Sequence, residues 1–153
     1  MSEHAAPEET TVLLVEDDEA AAHLITANLK RAGAGGRIIR APNGQKALEI
    51  LARKDKDNPL RPRERLIVLL DVNMPGVSGL QVLQYMKNNP ALKRIPVVML
   101  TTSDDPMEIE RCYELGCNFF VTKPVDYGKF VNTIKHIALI LQIFTIPIYG
   151  DTP

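Results

Sequence analysis

Residues 66–79 read LIVLLDVNMPGVSG: five apolar residues, then Asp71, then a loop containing Asn73, Pro75 and Gly76. An unbroken Val/Ile/Leu run describes a strand covered on both faces, the condition of a parallel sheet with helices on either side. Asp71 then emerges at the carboxyl end of that strand, where open parallel sheets form their ligand crevices. A charge in that position is the first candidate for function.

Outward from this stretch the same alternation repeats. Towards the N-terminus, residues 11–15 form an apolar, β-branched strand that stops in Glu16, Asp17, Asp18 and Glu19, acids suited to a helix N-terminus. Helical spacing over 19–32 turns Leu24, Ile25 and Leu29 inward and ends in Gly33, Gly35 and Gly36. Residues 37–41 form a second strand, and Asn43 caps a helix carrying Ala47, Leu48 and Leu51. Residues 54–64 lack periodicity, contain Pro59 and Pro62, and mix both charge signs, which describes a long solvated loop.

Beyond Asp71 a helix over 78–88 turns Leu80, Leu83 and Met86 inward, and an apolar strand over 96–100 stops at Thr101. A helix over 106–115 is closed by Gly116, a fifth strand over 118–122 stops at Lys123, and a helix over 126–143 carries Phe130, Ile134, Ile137 and Leu141. Strict alternation implies an α/β fold with right-handed crossovers. We therefore expect a flavodoxin-like, doubly wound (βα)5 domain with a five-stranded parallel sheet ordered 2-1-3-4-5. It spans residues 10–144, between a polar tail at 1–9 and an apolar extension at 145–153.

The totals agree with one domain. The chain has 153 residues, 45% hydrophobic and 24% charged, with a formal net charge of −1, so nothing in its overall charge attracts nucleic acid or anionic lipid. No basic-then-apolar leader opens it and no apolar run is long enough to span a bilayer, so a cytoplasmic protein is expected. Cys112 and Cys117 have neither zinc-knuckle nor CxxC spacing and read as small, partly buried apolar residues in a reducing compartment.

In the 2-1-3-4-5 order, strands one and three are neighbours, so Glu16, Asp17 and Asp71 crowd one crevice. Repulsion among three carboxylates is relieved by proton uptake or by a cation. All-oxygen ligation favours Mg2+, with Mn2+ as an alternative, and such a site shares its open positions with phosphate oxygens. Lys123 adds a positive charge and Thr101 a hydroxyl, the groups wanted around a phosphoryl held at Asp71. Singly each has an ordinary reading: the acids favour a helix N-terminus, Thr101 bonds backbone, and Lys123 is a turn residue.

The motifs LLVEDD, LIVLLDVNMPGVSG, VVMLTTSDD and FFVTKPV, in this order, resemble the receiver domain of bacterial two-component response regulators, over residues 11–143. The resemblance implies that Asp71 accepts a phosphoryl group from a sensor histidine kinase. It also implies that Glu16, Asp17, Asp71 and the backbone carbonyl of Asn73 hold Mg2+, with Thr101 and Lys123 contacting the phosphoryl group. Phe120 falls at the family's switch aromatic, partner to Thr101, and equally reads as a core residue. Pro124 is implied to follow a cis peptide bond. Asn73 and Ser103 are expected to tune slow self-dephosphorylation, so that the chain is a phosphoacceptor and not a turnover enzyme.

With no output domain evident, the signal is expected to leave by a protein contact. The final helix and the extension are apolar nearly all round, and Ile140, Ile143, Phe144, Ile146 and Ile148 are expected to form a homodimer or partner contact; the alternative is a tail folded back on its own core. The long loop and this tail resemble short regulators that partner phytochrome-type kinases. A rival reading, a Mg2+-dependent phosphohydrolase with Asp71 as nucleophile, needs an acid two residues on, where Asn73 stands. A non-phosphorylated binding module of the same fold is the third reading.

Overall fold

The computed structural model describes residues 10–34, 36–143, 146, 148 and 149. Five strands, β1 (Thr10–Val15), β2 (Arg37–Ala41), β3 (Glu64–Leu70), β4 (Val97–Thr101) and β5 (Phe119–Thr122), pair in parallel in the order β2-β1-β3-β4-β5. The helices between and after them are α1 (Glu19–Arg31), α2 (Gly44–Leu51), α3 (Gly79–Asn88), α4 (Pro106–Glu114) and α5 (Tyr127–Ile143). The expected (βα)5 order is thus the one observed.

Local chemistry sets the helix starts. Asp18 caps α1 by accepting from Ala20 and Ala21 N–H, and Asn43 caps α2 through Lys46 N–H. Ser78 and Gln81 close a reciprocal capping box on α3, and α4 opens with Asp105 as cap and Pro106 in the first turn.

The period of two along β3 divides the core. Leu66, Val68 and Leu70 face one layer with Ile50, Leu51, Val82, Leu83, Met86 and Cys112, so α2, α3 and α4 cover that side. Ile67 and Leu69 face the other, with Ala22, Ile25 and Leu29 of α1 and Phe130, Ile134 and Ile137 of α5. Both cysteines are buried and free, and burial pushes the Cys112 thiol up to about 11, which makes it inert.

Two features depart from expectation. A sixth strand, β6 (Ile148–Tyr149), pairs antiparallel with β3 at Arg65 and Glu64. The register explains it: β4 begins opposite Val68, which leaves the first residues of β3 open on that side. Ile146, expected at a partner contact, is instead 5% exposed within the α1/α5 layer, and Arg65 Nη1 donates to its carbonyl at 2.7 Å. For this residue the folded-back alternative holds. Phe144 and the side chain of Ile148 lie outside the described residues.

The long connection after α2 is also more ordered than a solvated charge mixture. Glu64, wholly buried, accepts from Thr11 Oγ1 at 2.8 Å and from Arg61 through backbone N–H at 2.8 Å and Nε at 2.9 Å. Burial pushes its carboxyl up, but these bonds outweigh burial and hold it below the usual range. Asp55 accepts from Lys46 Nζ at 3.1 Å and Asn58 Nδ2 at 3.2 Å, tying the loop to α2, and Leu60 of the same loop is buried in the core.

Candidate functional site

The carboxyl edge of the sheet gathers the polar strand ends. β1 delivers Glu16, whose N–H continues the ladder to Ala41 O at 3.1 Å, and β3 delivers Asp71, whose N–H reaches Val15 O at 3.0 Å. These two backbone bonds lock the neighbouring strand ends into register, so the acids meet because β1 and β3 are adjacent. Thr101 ends β4, and Lys123 follows β5 with its N–H on Thr101 O at 2.6 Å.

Glu16, Asp71, Thr101 and Lys123 are all buried, whereas Asp17 is exposed at the mouth. Lys123 Nζ forms its ion pair with Glu16 Oε1 and lies 3.5 Å from Asp71 Oδ2. Glu16 Oε2 accepts Asp18 N–H at 3.2 Å, and Asp71 Oδ1 accepts Asn73 N–H at 3.3 Å. One ammonium thus serves two buried carboxylates, and Glu16 holds it more closely. The uncompensated charge falls on Asp71: burial pushes its carboxyl up to about 7, Lys123 pulls it down, and Glu16 pushes it up again.

Oxygens of Glu16, Asp17 and Asp71 lie within 4.8 Å of one another. This all-carboxylate set, with Asp71 raised by burial and by the neighbouring Glu16 carboxylate, fits a hard divalent cation. Asn73 sits beside the set, its side-chain amide donating to Thr101 Oγ1 at 3.2 Å. Ser103 donates its N–H to the same oxygen at 3.4 Å, while its hydroxyl accepts Asp105 N–H at 3.2 Å at the start of α4. Phe120 is half-buried against the α2/α3/α4 layer, and its N–H donates to Tyr113 Oη at 3.2 Å.

One expectation here is corrected. Among the described residues no peptide bond is cis, so the bond preceding Pro124 is trans. Trans is the intrinsically favoured isomer at an X-Pro bond, by about 0.5–1 kcal/mol. The turn is made afterwards, where Asp126 accepts Lys129 N–H at 2.9 Å and Phe130 N–H at 2.9 Å to start α5.

The model of the response regulator receiver domain family matches residues 12–135. The chain belongs to this family. The receiver is similar to response regulator Rcp1 of Synechocystis sp., at 34% identity over 149 residues, 96% of this chain and 99% of Rcp1. It superposes on a receiver domain crystal structure from Rhodospirillum rubrum with TM-score 0.84 and 39% identity, covering 93% of this chain and all (100%) of that one. The Mn(2+)-bound crystal form of Rcp1 gives TM-score 0.82 at 34% identity over 90% of this chain and 99% of Rcp1. The phosphorylated cyanobacterial phytochrome response regulator RcpA gives 0.82 at 31% identity over 92% of this chain and 99% of RcpA. Receivers of this family are signalling domains that act with sensor kinases and bind Mg2+ or Mn2+ at an acidic site. Among the described residues no helix is long and apolar enough to cross a membrane.

Sequence reasoning missed Arg40. Its guanidinium donates to the carbonyls of Glu16 and Asp17, and no motif marks it; only the pairing of β2 with β1 brings it there.

Proposed function

We propose that this receiver accepts a phosphoryl group on Asp71 from a phosphohistidine of a sensor kinase, in a reaction that needs Mg2+ or Mn2+. The observation that carries the reading is the meeting of buried Asp71 with the Glu16 and Asp17 carboxylates and the Lys123 ammonium at one sheet edge. Glu16, Asp17, Asp71 and the Asn73 carbonyl would hold the cation, which supplies charge neutralisation to the carboxylates and to the incoming phosphoryl oxygens. Ionised Asp71 attacks phosphorus in line, its oxygen forming the new P–O bond as the P–N bond to the donor imidazole breaks and the electron pair leaves on nitrogen. Lys123 offers a positive charge to the phosphoryl oxygens, and Thr101, 0% exposed, offers its hydroxyl once it leaves the Asn73 amide. Thr101 and Phe120 form the switch on adjacent strands, altering the surface around α4.

The test is intact mass after incubation with acetyl phosphate. A phosphate adduct that requires Mg2+ and maps to Asp71 supports the reading; no adduct with any donor supports an inert module. Continuous hydrolysis of phosphomonoesters would favour the hydrolase, a reading weakened by an amide at position 73 bonded to Thr101.

Self-dephosphorylation is expected to depend on Asn73 and Ser103, which flank Thr101. Asn73→Ala and Ser103→Ala should each change the decay rate of the phosphorylated chain several-fold in a phosphate-release time course. Unchanged decay would remove both from this role.

The partner kinase is proposed to be phytochrome-type, by likeness to RcpA, in the cytoplasm, with neither nucleic acid nor membrane as partner. A homodimer is proposed through α5, where Leu139 and Ile143 are 57% and 75% exposed and Ile140 is half-buried beside them. Ile143→Lys should lower the mass seen by sedimentation, leaving the fold intact because this side chain packs on no core layer. The same mass for variant and wild type would remove the dimer from the proposal.

A further inference from the structure

We infer that Arg40 is a positioning residue for the cation site, acting on Asp17 through the backbone of the loop between β1 and α1. The inference rests on the reading of Glu16, Asp17 and Asp71 as cation ligands. Arg40 lies next to the end of β2, in register with Leu14 of β1. Its Nε and Nη2 donate to Glu16 O at 3.2 and 3.0 Å, and Nη2 also reaches Asp17 O at 3.3 Å. The third arm, Nη1, lies 3.8 Å from the Glu19 carboxylate, which is 91% exposed.

These two carbonyls belong to the peptide planes on either side of the Asp17 Cα. Holding both planes restricts the φ and ψ of Asp17, and with them the direction in which its side chain leaves the backbone. Glu16 needs no such help, because Lys123 and Asp18 N–H fix its carboxylate directly. Asp17 differs: among the described residues its carboxylate has no hydrogen-bond partner, so its direction is inherited from the backbone. A rigid fork can bridge two successive carbonyls; a lysine ammonium, a single point on a flexible stem, cannot hold both in a fixed relation.

Charge and position make opposite demands on this residue. As a cation hydrogen-bonded to the backbone of two of the proposed ligands, Arg40 repels the metal, so a purely electrostatic role predicts tighter binding when it is removed. A positioning role predicts weaker binding. The sign of the change therefore decides between them.

The experiment measures Mn2+ affinity of the full chain by electron paramagnetic resonance of free Mn2+, for wild type, Arg40→Ala and Arg40→Lys, at a temperature where circular dichroism finds each folded. Positioning predicts about tenfold weaker binding in Arg40→Ala, as for other residues that orient metal ligands. Arg40→Lys, which keeps the charge, should fail to restore wild-type affinity. Equal or tighter binding by Arg40→Ala, or full rescue by Arg40→Lys, overturns the inference; a merely structural role would lower the melting temperature without moving affinity in the folded protein. A wild-type chain that binds no Mn2+ overturns the cation reading itself, an outcome distinct from wild-type binding that Arg40 does not influence.

Discussion

Asp71→Asn should abolish the phosphate adduct and, in Mg2+-free buffer at pH 8, make the protein more stable than wild type. The first effect follows from the nucleophile: an amide oxygen at position 71 carries no charge to attack phosphorus. The second follows from the raised carboxyl. The Asp71 side chain titrates near 3.8 in an unfolded chain and at about 7 in the fold. The folded state therefore favours the protonated form, and its contribution is fully present below about pH 4 and lost as pH rises to 7. Above that, ionised Asp71 opposes folding by at most roughly 4 kcal/mol, less where solvent screens the site, with Lys123 already engaged by Glu16. The amide that replaces it has no such titration. Urea unfolding from pH 4 to pH 8 should show wild type falling relative to the variant by that amount, and Mg2+ should narrow the gap by binding the wild-type site, with its full carboxylate set, more tightly. A difference that stays constant with pH would refute the raised carboxyl, and an adduct on the variant would refute Asp71 as acceptor.

Gly79→Ala should cost about 3 kcal/mol, measured as a drop in urea midpoint without change in slope. The reason is close approach and not backbone freedom. A Cβ at position 79 would stand 2.0 Å from Asp71 O and 2.8 Å from Val72 Cα, both backbone atoms of the loop that carries the proposed acceptor. Gly79 N–H donates to Val72 O at 2.9 Å, so α3 begins directly against that loop, and nothing there is the free end of a flexible chain. Relief requires Asp71 itself to move, so the variant should also lose phosphorylation in whatever fraction folds. Gly33 is the contrasting control. Its φ is +75° with open space around it, so Gly33→Ala should cost only about 1 kcal/mol of backbone strain and leave phosphorylation unchanged. Equal losses at both positions would mean that no tight contact exists at Gly79.

The apolar runs, their spacing and their turn residues determined the alternation of strands and helices, because periodicity and caps act over a few residues. Asp18, Asn43 and Ser78 capped the helices where local chemistry placed them. The acids, hydroxyl and lysine at the strand ends were equally legible, since strand order alone brings β1 beside β3. Three things were decided only in three dimensions. The apolar tail read as an external contact, yet Ile146 turned inward because β4 starts late and leaves the base of β3 open. The charged loop read as solvated, yet Glu64 and Asp55 organise it through partners distant in the chain, such as Thr11 and Lys46. Arg40 carried no sequence signal at all, because a side chain that bonds backbone carbonyls places no demand on residue type at the other end. Local patterns wrote the elements and the acidic crevice; long-range pairing chose where the tail goes, what anchors the loop, and which guanidinium holds the backbone beneath the acids.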